Sequence, residues 1–294
     1  MTNRPILDLV HEITTHLLTH IPNNRVAELE AWWMLEKLTN QEKALLIAHQ
    51  ELSLSPQQQE TLNQWLHERI TQKKPLQYIL GSVPFCNLTI MVQPPFLIPR
   101  PETEEMVAWL IETIKKAHAK NVTILDLCTG TGCIGLALAA ALPDAHIVGI
   151  DINDGAIKLA QQNKALNKLS NITFTQSDLY KALDADEKFD LIISNPPYLS
   201  ETCYAHVSEE IRLWEDKNAL VGNHEGMIFY EKIISQAPLY LKNNTLLDKN
   251  VPQLVLEIGI DQDSIEELFS KTPFREVKIY NDMQGMKRWV TARI

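Results

Sequence analysis

The stretch that decides the fold is residues 189–198, Phe-Asp-Leu-Ile-Ile-Ser-Asn-Pro-Pro-Tyr. Phe189–Ser194 is almost entirely apolar, which is typical of a parallel strand that is buried on both faces. The two prolines that follow cannot donate to a sheet ladder, so the strand is expected to end before them. Asn195 is therefore predicted at the carboxyl end of a strand, on a stiff backbone, where open α/β sheets bind their ligands.

Asn195 and Pro196 place two oxygen acceptors next to each other, one on a side chain and one on the backbone. Together they suit the two hydrogens of a planar NH2 group, whose nitrogen is a poor nucleophile because its lone pair is delocalised. Holding both hydrogens out of the plane frees part of that lone pair, and Tyr198 can lie against the planar substrate. The stretch thus indicates chemistry at an amide or aryl nitrogen. The plainer alternative is a strand-ending turn with an Asn that faces solvent.

Around this stretch the chain alternates between strand and helix patterns. This alternation predicts an α/β fold with a Rossmann-like, doubly wound sheet and a C-terminal antiparallel strand pair. The predicted strands are Val122–Leu127, Ala145–Asp151, Asn171–Gln176, Phe189–Ser194, Gln253–Glu257, Arg275–Asn281 and Lys287–Ala292. The predicted helices are Glu102–His118, Ile134–Ala141, one that ends near Lys168, Gly226–Leu241 and Asp263–Ser270, and Lys242–Asn250 is predicted to be a polar loop.

Three segments are expected along the chain. Residues 1–74 show apolar positions at spacings of three and four, which predicts a small all-α helical bundle, and Ser55-Pro56 is a helix start. Residues 75–99 contain Gly, Pro and Asn between short apolar runs, which predicts a β-hairpin linker. Residues 100–294 form the α/β domain. The apolar positions of the first segment include Ile6, Leu9, Val10, Ile13, Leu17, Leu18, Val26, Leu29, Trp32, Trp33, Leu35, Leu38, Leu45, Leu46, Leu62, Trp65, Leu66 and Ile70.

Composition excludes several classes of protein. The chain has 294 residues, of which 45% are hydrophobic, and a net charge of -10. An acidic chain is poorly suited to gripping nucleic acid non-specifically, and no apolar run approaches the ~20 residues of a membrane helix. The four cysteines form no Cys-x-x-Cys pair, which predicts reduced thiols in the cytoplasm. His11, His16 and His20 share a helix, but solvent-facing histidines are commoner than ligands, so no metal site is expected.

A glycine-rich loop identifies the kind of cofactor. Gly130-x-Gly132-x-x-Gly135 follows a strand and opens a helix, which formally matches a dinucleotide fingerprint, so NAD binding remains an alternative. However, a pyrophosphate at this helix start would face the carboxylate of Asp126. S-adenosylmethionine has no phosphate, and its ammonium and sulfonium groups are cations that an acid would attract. Asp151 would serve the ribose hydroxyls of either cofactor. A methyltransferase is favoured over an oxidoreductase.

Four segments together resemble the PrmC/HemK family of protein-(glutamine-N5) methyltransferases: Pro75–Gly81, Ile98–Glu104, Asp126–Gly132 and Asn195–Tyr198. The resemblance covers the whole chain. Asn-Pro-Pro-Tyr alone marks a wider group of N-methyltransferases, whereas Arg100–Glu104 is far more specific. The resemblance implies methyl transfer from S-adenosylmethionine to the glutamine of a Gly-Gly-Gln motif in peptide chain release factors. It also implies that the helical domain helps to dock this protein substrate.

Specific residues can be assigned to the expected site. Asp178 and Leu179 are placed to meet the adenine, although some relatives have an aromatic residue at Leu179, and Cys128 stands where many methyltransferases have Gly. We expect a monomer that makes no direct contact with nucleic acid or membrane. The expected catalytic residues are Asn195, Pro196 and Tyr198; the cofactor-binding residues are Asp126, Cys128, Thr129, Gly130, Thr131, Gly132, Asp151, Ile152, Asp178, Leu179 and Asn195; and the substrate-binding residues are Asn195, Pro196, Pro197, Tyr198 and Arg100.

Besides the NAD-dependent oxidoreductase, two other functions remain open at this point. An adenine-N6 methyltransferase acting on DNA or RNA could use the same Asn195 corner, but the acidic charge and the lack of an evident target-recognition domain count against it. A catalytically idle binding module could keep an old cofactor fold. The intact set of acidic and glycine residues from Asp126 to Asp151, together with Asn195, argues against that module.

Overall fold

A computed structural model describes residues 4–243, 245, 247–262 and 264–294. The chain divides into two compact units: one runs to Gly81 and includes Ser208–Trp214, and the other comprises Ser82–Val207 and Glu215–Ile294. The helices are α1 (Ile6–Leu17), α2 (Asn24–Thr39), α3 (Lys43–His49), α4 (Pro56–Thr71), α5 (Leu76–Leu80), α6 (Pro101–Lys116), α7 (Cys133–Ala141), α8 (Asp154–Leu166), α9 (Glu201–His206), α10 (Glu209–Trp214), α11 (Ile228–Tyr240) and α12 (Ile265–Phe269). The strands are β1 (Arg4–Pro5), β2 (Glu51–Leu52), β3 (Ser82–Phe85), β4 (Leu88–Met91), β5 (Thr123–Leu127), β6 (His146–Asp151), β7 (Ile172–Gln176), β8 (Leu191–Ser194), β9 (Leu254–Glu257), β10 (Arg275–Asn281) and β11 (Lys287–Arg293).

The first unit is a helical bundle around an apolar core. The expected helix start at Ser55-Pro56 is confirmed, since Ser55 caps α4 and exchanges hydrogen bonds with Gln58. The core face of α2 differs from the simple apolar pattern, because Val26, Leu29 and Trp33 are exposed. Smaller and more flexible residues of α2 are buried in their place, namely Ala27, Ala31 and Met34, beside Trp32 and Leu35.

A buried arginine ties α10 into this helical unit. Arg69 on α4 is only 4% exposed, and its guanidinium donates to both carboxylate oxygens of Glu30, at 2.7 and 2.8 Å, and to Glu210, at 2.8 Å. The indole of Trp214 donates to the backbone oxygen of Gln72 over 3.0 Å. Because a buried charge that loses its partner is strongly destabilising, these contacts hold Ser208–Trp214 as part of the bundle.

The second unit contains a seven-stranded sheet in the order β10-β11-β9-β8-β5-β6-β7. Strands β5 to β9 pair in parallel, whereas β11 runs antiparallel to both β9 and β10. The prediction of a doubly wound α/β sheet with a closing antiparallel pair is confirmed. All residues of β8 and β9 are buried, as expected for strands covered by helices on both faces.

The hairpin expected before the sheet domain is formed by β3 and β4, which pair antiparallel around Cys86 and Asn87. Asn163 on α8 fastens this hairpin, since its side chain accepts from the backbone of Met91 over 2.7 Å and donates back to it over 3.1 Å. The same amide donates to the backbone oxygen of Thr131 in the glycine loop, over 3.0 Å. The hairpin and the glycine loop therefore share one buried anchor.

Some elements differ from the sequence-based expectation. The helices α9 and α10 follow the Asn-Pro-Pro-Tyr stretch, where no helix was predicted. The predicted helix Asp263–Ser270 appears as Ile265–Phe269, and Asp263 itself lies outside the described residues, as do Met1–Asn3 of the predicted bundle and Asn244 and Leu246 of the predicted polar loop. Within the described part of the chain, no helix has the length and apolar character needed to cross a membrane.

Candidate active site

The site lies at the point in the sheet where the order of the strands along the chain reverses direction. β5 and β8 are neighbours, and their last paired residues are Leu127 and Ser194, whose side chain donates to the backbone oxygen of Leu127 over 2.7 Å. From β5 the chain continues outward through β6 and β7 on one side, and β8 lies on the other side. The loops after β5 and β8 therefore share one crevice at the carboxyl edge of the sheet, the usual ligand position in such folds.

The loop after β5 has an unusual backbone. Cys128, Gly130 and Gly132 adopt positive φ angles of 57°, 54° and 81°. A Cβ at Gly132 would come within 2.9 Å of the ring of Phe174, whereas a Cβ at Gly130 would meet nothing within 4 Å. Gly132 is thus required for packing, and Gly130 leaves open space beside the loop into which a ligand can approach.

Asp126 lies beneath this loop rather than at its surface. Its side chain is fully buried, and Oδ2 accepts from the hydroxyl of Thr129 over 2.5 Å and from the backbone N–H of Gly135 over 3.0 Å. Among the described residues, none donates to the buried Oδ1. Burial raises the pKa of the Asp126 carboxyl to about 7, although both hydrogen bonds favour the charged form. The carboxylate that was expected to face the cofactor directly instead supports the loop from inside.

Asp151, at the end of β6, holds the other side of the same loop. Oδ2 accepts from the backbone N–H of Gly130 over 2.9 Å, and Oδ1 accepts from the backbone N–H of Asn153 over 2.9 Å. Burial raises the pKa of the Asp151 carboxyl, and the backbone hydrogen bonds oppose that rise. Asp151 is half-buried, so part of the residue remains exposed.

Three further residues that were expected to bind the cofactor follow the ends of the neighbouring strands. Asp178, expected near the adenine, forms an ion pair with Lys181 over 2.6 Å, and Ile152 is 65% exposed. Leu179 has a positive φ of 49° and is buried against the apolar core of the sheet, so only a small part of its side chain can reach a ligand.

The predicted substrate corner follows β8. Asn195 is half-buried, and Pro196 and Pro197 are buried. The Nδ2 of Asn195 donates to the hydroxyl oxygen of Thr103 on α6 over 3.1 Å. Neither Asn195 Oδ1 nor the backbone oxygen of Pro196 receives a hydrogen bond from any residue that the structure describes. Neither acceptor is thus occupied by a donor of the described residues, and their contact with a substrate stays a prediction.

Two glycines let a neighbouring loop approach the corner closely. A Cβ at Gly222 would come within 2.5 Å of the backbone oxygen of Pro197, and a Cβ at Gly226 would overlap the backbone oxygen of Tyr198. The side chain of Gln262 donates to the same oxygen of Tyr198 over 3.0 Å. The backbone of the corner is thus held from two sides.

Glu257 is a site residue that the sequence analysis missed. It is the last residue of β9 and is 1% exposed. Its Oε2 accepts from the hydroxyl of Thr103 over 2.6 Å, and its Oε1 accepts from the hydroxyl of Tyr198 over 3.4 Å. Burial raises the pKa of the Glu257 carboxyl to about 7. One sign of this role was present in the sequence, because an acidic residue follows the apolar residues of β9. Since β8 and β9 run in parallel, this residue lies at the same end of the sheet as Asn195.

Arg100, expected to bind substrate, is held by a partner inside the same unit. Its guanidinium lies 2.7 Å from both carboxylate oxygens of Glu215, which is buried. Within the same motif, Glu104 accepts from the backbone N–H of Cys86 over 2.6 Å. Together with Thr103, these contacts give the segment 100–104 a structural role around the crevice, while 30% of the Arg100 side chain remains exposed.

The groups that line the crevice fit S-adenosylmethionine. Asp151 places a carboxylate beside the glycine loop, and open space lies beside Gly130. A carboxylate attracts a cationic ligand and binds ribose hydroxyls, whereas Asp126 is fully buried and acts on the crevice only through the loop. Of the described residues, no group of three or more His, Cys, Asp or Glu side chains could hold a metal ion.

Comparison with known proteins is consistent with this geometry. A family model for the methyltransferase small domain matches residues 101–219, and one for the PrmC N-terminal domain matches residues 12–81. A release factor glutamine methyltransferase of Geobacter sulfurreducens is 34% identical over 298 aligned residues, which cover all of this chain and all of that relative. The chain belongs to the release factor glutamine methyltransferase family. A relative with the same name from Fusobacterium nucleatum is 38% identical over 76% of this chain, which spans 61% of that relative's length.

Solved structures show that this release factor glutamine methyltransferase family member shares its fold with other methyltransferases. The hMettl16 catalytic domain, solved with a MAT2A 3'UTR hairpin, superposes with a TM-score of 0.54 at 15% identity, covering 82% of this chain and 83% of that chain. The 16S rRNA N2 methyltransferase RsmC of T. Thermophilus, solved with AdoMet and guanosine, gives a TM-score of 0.52 at 18% identity, covering 72% of this chain and 50% of that chain. At these identities the likeness concerns the fold alone.

Proposed function

We propose that this chain transfers a methyl group from S-adenosylmethionine to the side-chain amide nitrogen of the glutamine in the Gly-Gly-Gln motif of peptide chain release factors. It acts in the cytoplasm, as a monomer, without direct contact with nucleic acid. Its membership of a family whose relatives are named release factor glutamine methyltransferases supports the substrate. The acidic net charge of -10 supports a protein rather than a nucleic acid as the substrate.

One observation carries the proposal. Asn195 donates its Nδ2 to Thr103, which leaves its Oδ1 as an acceptor next to the backbone oxygen of Pro196. A primary amide presents two hydrogens in one plane, and a pair of acceptors can take both. Tyr198, two residues further on, offers an aromatic face against which a planar amide can pack.

The reaction needs orientation more than acid or base catalysis. S-adenosylmethionine, when bound, supplies an electrophilic methyl group on a sulfonium. Asn195 Oδ1 and Pro196 O would hold the two amide hydrogens of the glutamine and turn its nitrogen lone pair toward that methyl group. Such preorganised acceptors act by positioning the nucleophile and by stabilising the positive charge that develops on its nitrogen. No general base is assigned, because the amide proton becomes acidic only as that charge develops.

The remaining predicted residues are assigned to binding. Residues 128–132, Asp151 and Ile152 would hold the cofactor, and Asp178 and Leu179 would lie toward its adenine. Asp126 would act through the loop that it supports. Arg100 and Pro197 would line the approach of the glutamine, and the helical unit would dock the release factor.

Mass spectrometry of a purified release factor tests the proposal directly. The factor is incubated with the enzyme and with S-adenosylmethionine that carries a deuterated methyl group, and its peptides are then sequenced. We expect one labelled methyl group on the glutamine of the Gly-Gly-Gln motif, and far less label at the same incubation time when the Asn195→Ala variant replaces the enzyme. Labelled adenine in an oligonucleotide, together with an unlabelled release factor, would instead establish an adenine-N6 methyltransferase.

A further inference from the structure

A buried hydrogen-bond relay connects three elements behind the substrate corner. Glu257 ends β9, Thr103 lies in the first turn of α6, and Asn195 follows β8. The Oγ1 of Thr103 lies 2.6 Å from Glu257 Oε2 and 3.1 Å from Asn195 Nδ2. Thr103 and Glu257 are both almost completely buried, so water cannot replace either partner.

The direction of each hydrogen bond follows from simple chemistry. An ionised carboxylate can only accept, and a threonine hydroxyl has a single hydrogen. When Glu257 is ionised, Thr103 therefore donates that hydrogen to Glu257 and has only lone pairs left for Asn195. Asn195 must then turn its NH2 group toward Thr103 and its oxygen toward the crevice. Without this relay, the two ends of the amide would be nearly equivalent in shape, and the NH2 end would repel the hydrogens of a substrate amide.

We propose that Glu257 is a positioning residue that acts through Thr103 to fix the Asn195 amide with Oδ1 toward the substrate. Its second oxygen accepts from Tyr198, so one carboxylate orients both polar side chains of the corner. Glu257 itself touches no substrate. The inference rests on the proposed function, since an outward-facing oxygen serves catalysis only if the substrate offers an NH2 group.

The groups around Glu257 determine whether its carboxyl is ionised or protonated near neutral pH. Besides the hydroxyl of Tyr198, the charged groups that act on it are Arg288 on β11, which favours the ionised carboxylate, and Glu102 on α6, which disfavours it. Tyr230 on α11 donates to its backbone oxygen over 2.8 Å. Burial is the largest influence and raises the pKa of Glu257 to about 7. A protonated Glu257 could itself donate to Thr103, and the relay would then lose its fixed direction.

Nuclear magnetic resonance on the full-length, ¹⁵N-labelled chain tests the relay without any substrate. The side-chain NH2 signals of Asn195 are assigned by their loss in Asn195→Ala. We expect the chemical shifts of these signals to change with pH at the same midpoint as the chemical shift of the Glu257 carboxyl carbon. In Glu257→Gln this pH dependence should disappear. Asn171, whose NH2 group donates to the backbone oxygens of Ala139, Leu142 and Ala145, is the internal control and should not titrate. An Asn195 titration that persists in Glu257→Gln would overturn the proposal.

Kinetics with matched variants provide the second test. Thr103→Val keeps the shape but removes the hydroxyl, and we expect kcat to fall roughly tenfold or more while the affinity for S-adenosylmethionine stays unchanged. Thr103→Ser restores the hydroxyl and should recover most of that loss. If the two residues act in one relay, Glu257→Gln combined with Thr103→Val should be no slower than the slower single variant. If the fold-losses in kcat of the two single variants multiply in the double variant, Glu257 and Thr103 act separately, which would contradict the proposal.

The methylation activity and the relay can be tested separately. If wild-type enzyme leaves the release factor unmethylated, the proposed function fails, but the resonance titration still decides whether the relay exists. If the wild type methylates the factor and the Asn195 signals ignore Glu257, the function stands and the relay is rejected. A melting temperature of Glu257→Gln at or above that of the wild type, measured alongside, excludes misfolding as the cause of a lower kcat.

Discussion

Asp151 Oδ2 accepts a hydrogen bond from the backbone N–H of Gly130 over 2.9 Å, so a side chain at the end of β6 holds the loop that follows β5. The loop has left-handed backbone at Cys128, Gly130 and Gly132, and it needs such external partners to stay in place. The shape of the loop therefore depends on the same carboxylate that we propose for the ribose of the cofactor.

Replacing Asp151 should weaken cofactor binding. In Asp151→Ala the N–H of Gly130 loses its charged acceptor, and the crevice loses a carboxylate for the ribose, so we expect the affinity for S-adenosylmethionine to fall roughly tenfold or more. Asp151→Asn is the matched variant, since it keeps a neutral acceptor for Gly130 and should lose less. Titration calorimetry gives both dissociation constants, and an unchanged value in Asp151→Ala would contradict this role.

Removing the side chain of Asn195 should lower kcat without changing the affinity for S-adenosylmethionine. Asn195→Ala deletes one of the two acceptors proposed for the glutamine amide, and we expect kcat to fall by about two orders of magnitude, the usual scale for a preorganised hydrogen-bonding group. The dissociation constant of S-adenosylmethionine should remain close to that of the wild type. Single-turnover methylation of a release factor measures the effect, and turnover near the wild-type rate would reject the assignment.

Glu257 should make the folded protein less stable as the pH rises. Its pKa is about 7 in the folded protein against an ordinary value of 4.5, so folding favours the protonated form. The favourable contribution is complete below pH 4.5 and is lost as the pH rises through 7, a change of about 3 kcal/mol by the standard conversion. Glu257→Gln cannot titrate and should lack this loss. Urea unfolding at pH 5 and pH 8 measures the difference, and parallel pH dependences for the two proteins would contradict the expectation. Asp126, whose pKa is also about 7, adds the same pH dependence to the unfolding free energy of both proteins, so its effect cancels in their difference.

A methyl group at Gly226 should disturb the corner from behind. Gly226 has a φ of +84°, and a Cβ there would overlap the backbone oxygen of Tyr198. In Gly226→Ala we expect a loss of both stability and kcat, because the loop that carries Tyr198 must shift. Gly81→Ala is the matched control, since Gly81 also has a positive φ, of +76°, but nothing within 4 Å of a Cβ. That control should cost only about 1 kcal/mol of folding free energy and leave kcat unchanged. Equal losses of kcat in the two variants would exclude a specific effect of Gly226.

Much of the fold could be predicted from local sequence signals. The apolar run before Asn-Pro-Pro-Tyr marks β8, because only a strand covered on both faces tolerates so few polar residues. The prolines mark its end, and the glycines after β5 mark a backbone that other residues resist. Such signals operate within a few residues, which explains why the strands and the position of Asn195 were predictable.

The contacts that orient the site could not be predicted in the same way. Thr103 and Glu257 are separated by 154 positions, and no periodicity connects them. The burial of Asp126 depends on donors from Thr129 and Gly135, which compete with any ligand for its carboxylate. Similarly, α10 belongs to the helical unit only through contacts with distant residues such as Arg69. Long-range pairing of polar groups is decided by the tertiary fold and not by local pattern.

The ion cluster around Arg69 has a practical consequence for dissecting this protein into fragments. A piece that stops at Gly81 retains Arg69 and Glu30 but lacks Glu210, and it removes the helix on which Trp214 reaches Gln72. A fragment that starts at Ser82 still contains α10, but it lacks the helical unit against which α10 packs. Isolating the sheet unit therefore means starting the chain at Ser82 and replacing Ser208–Trp214 by a short peptide that joins Val207 to Glu215, whereas isolating the helical unit means joining Gly81 to Ser208–Trp214. A truncation at Gly81 or at Ser82 alone would report on the lost contacts of α10 rather than on the function of the removed unit.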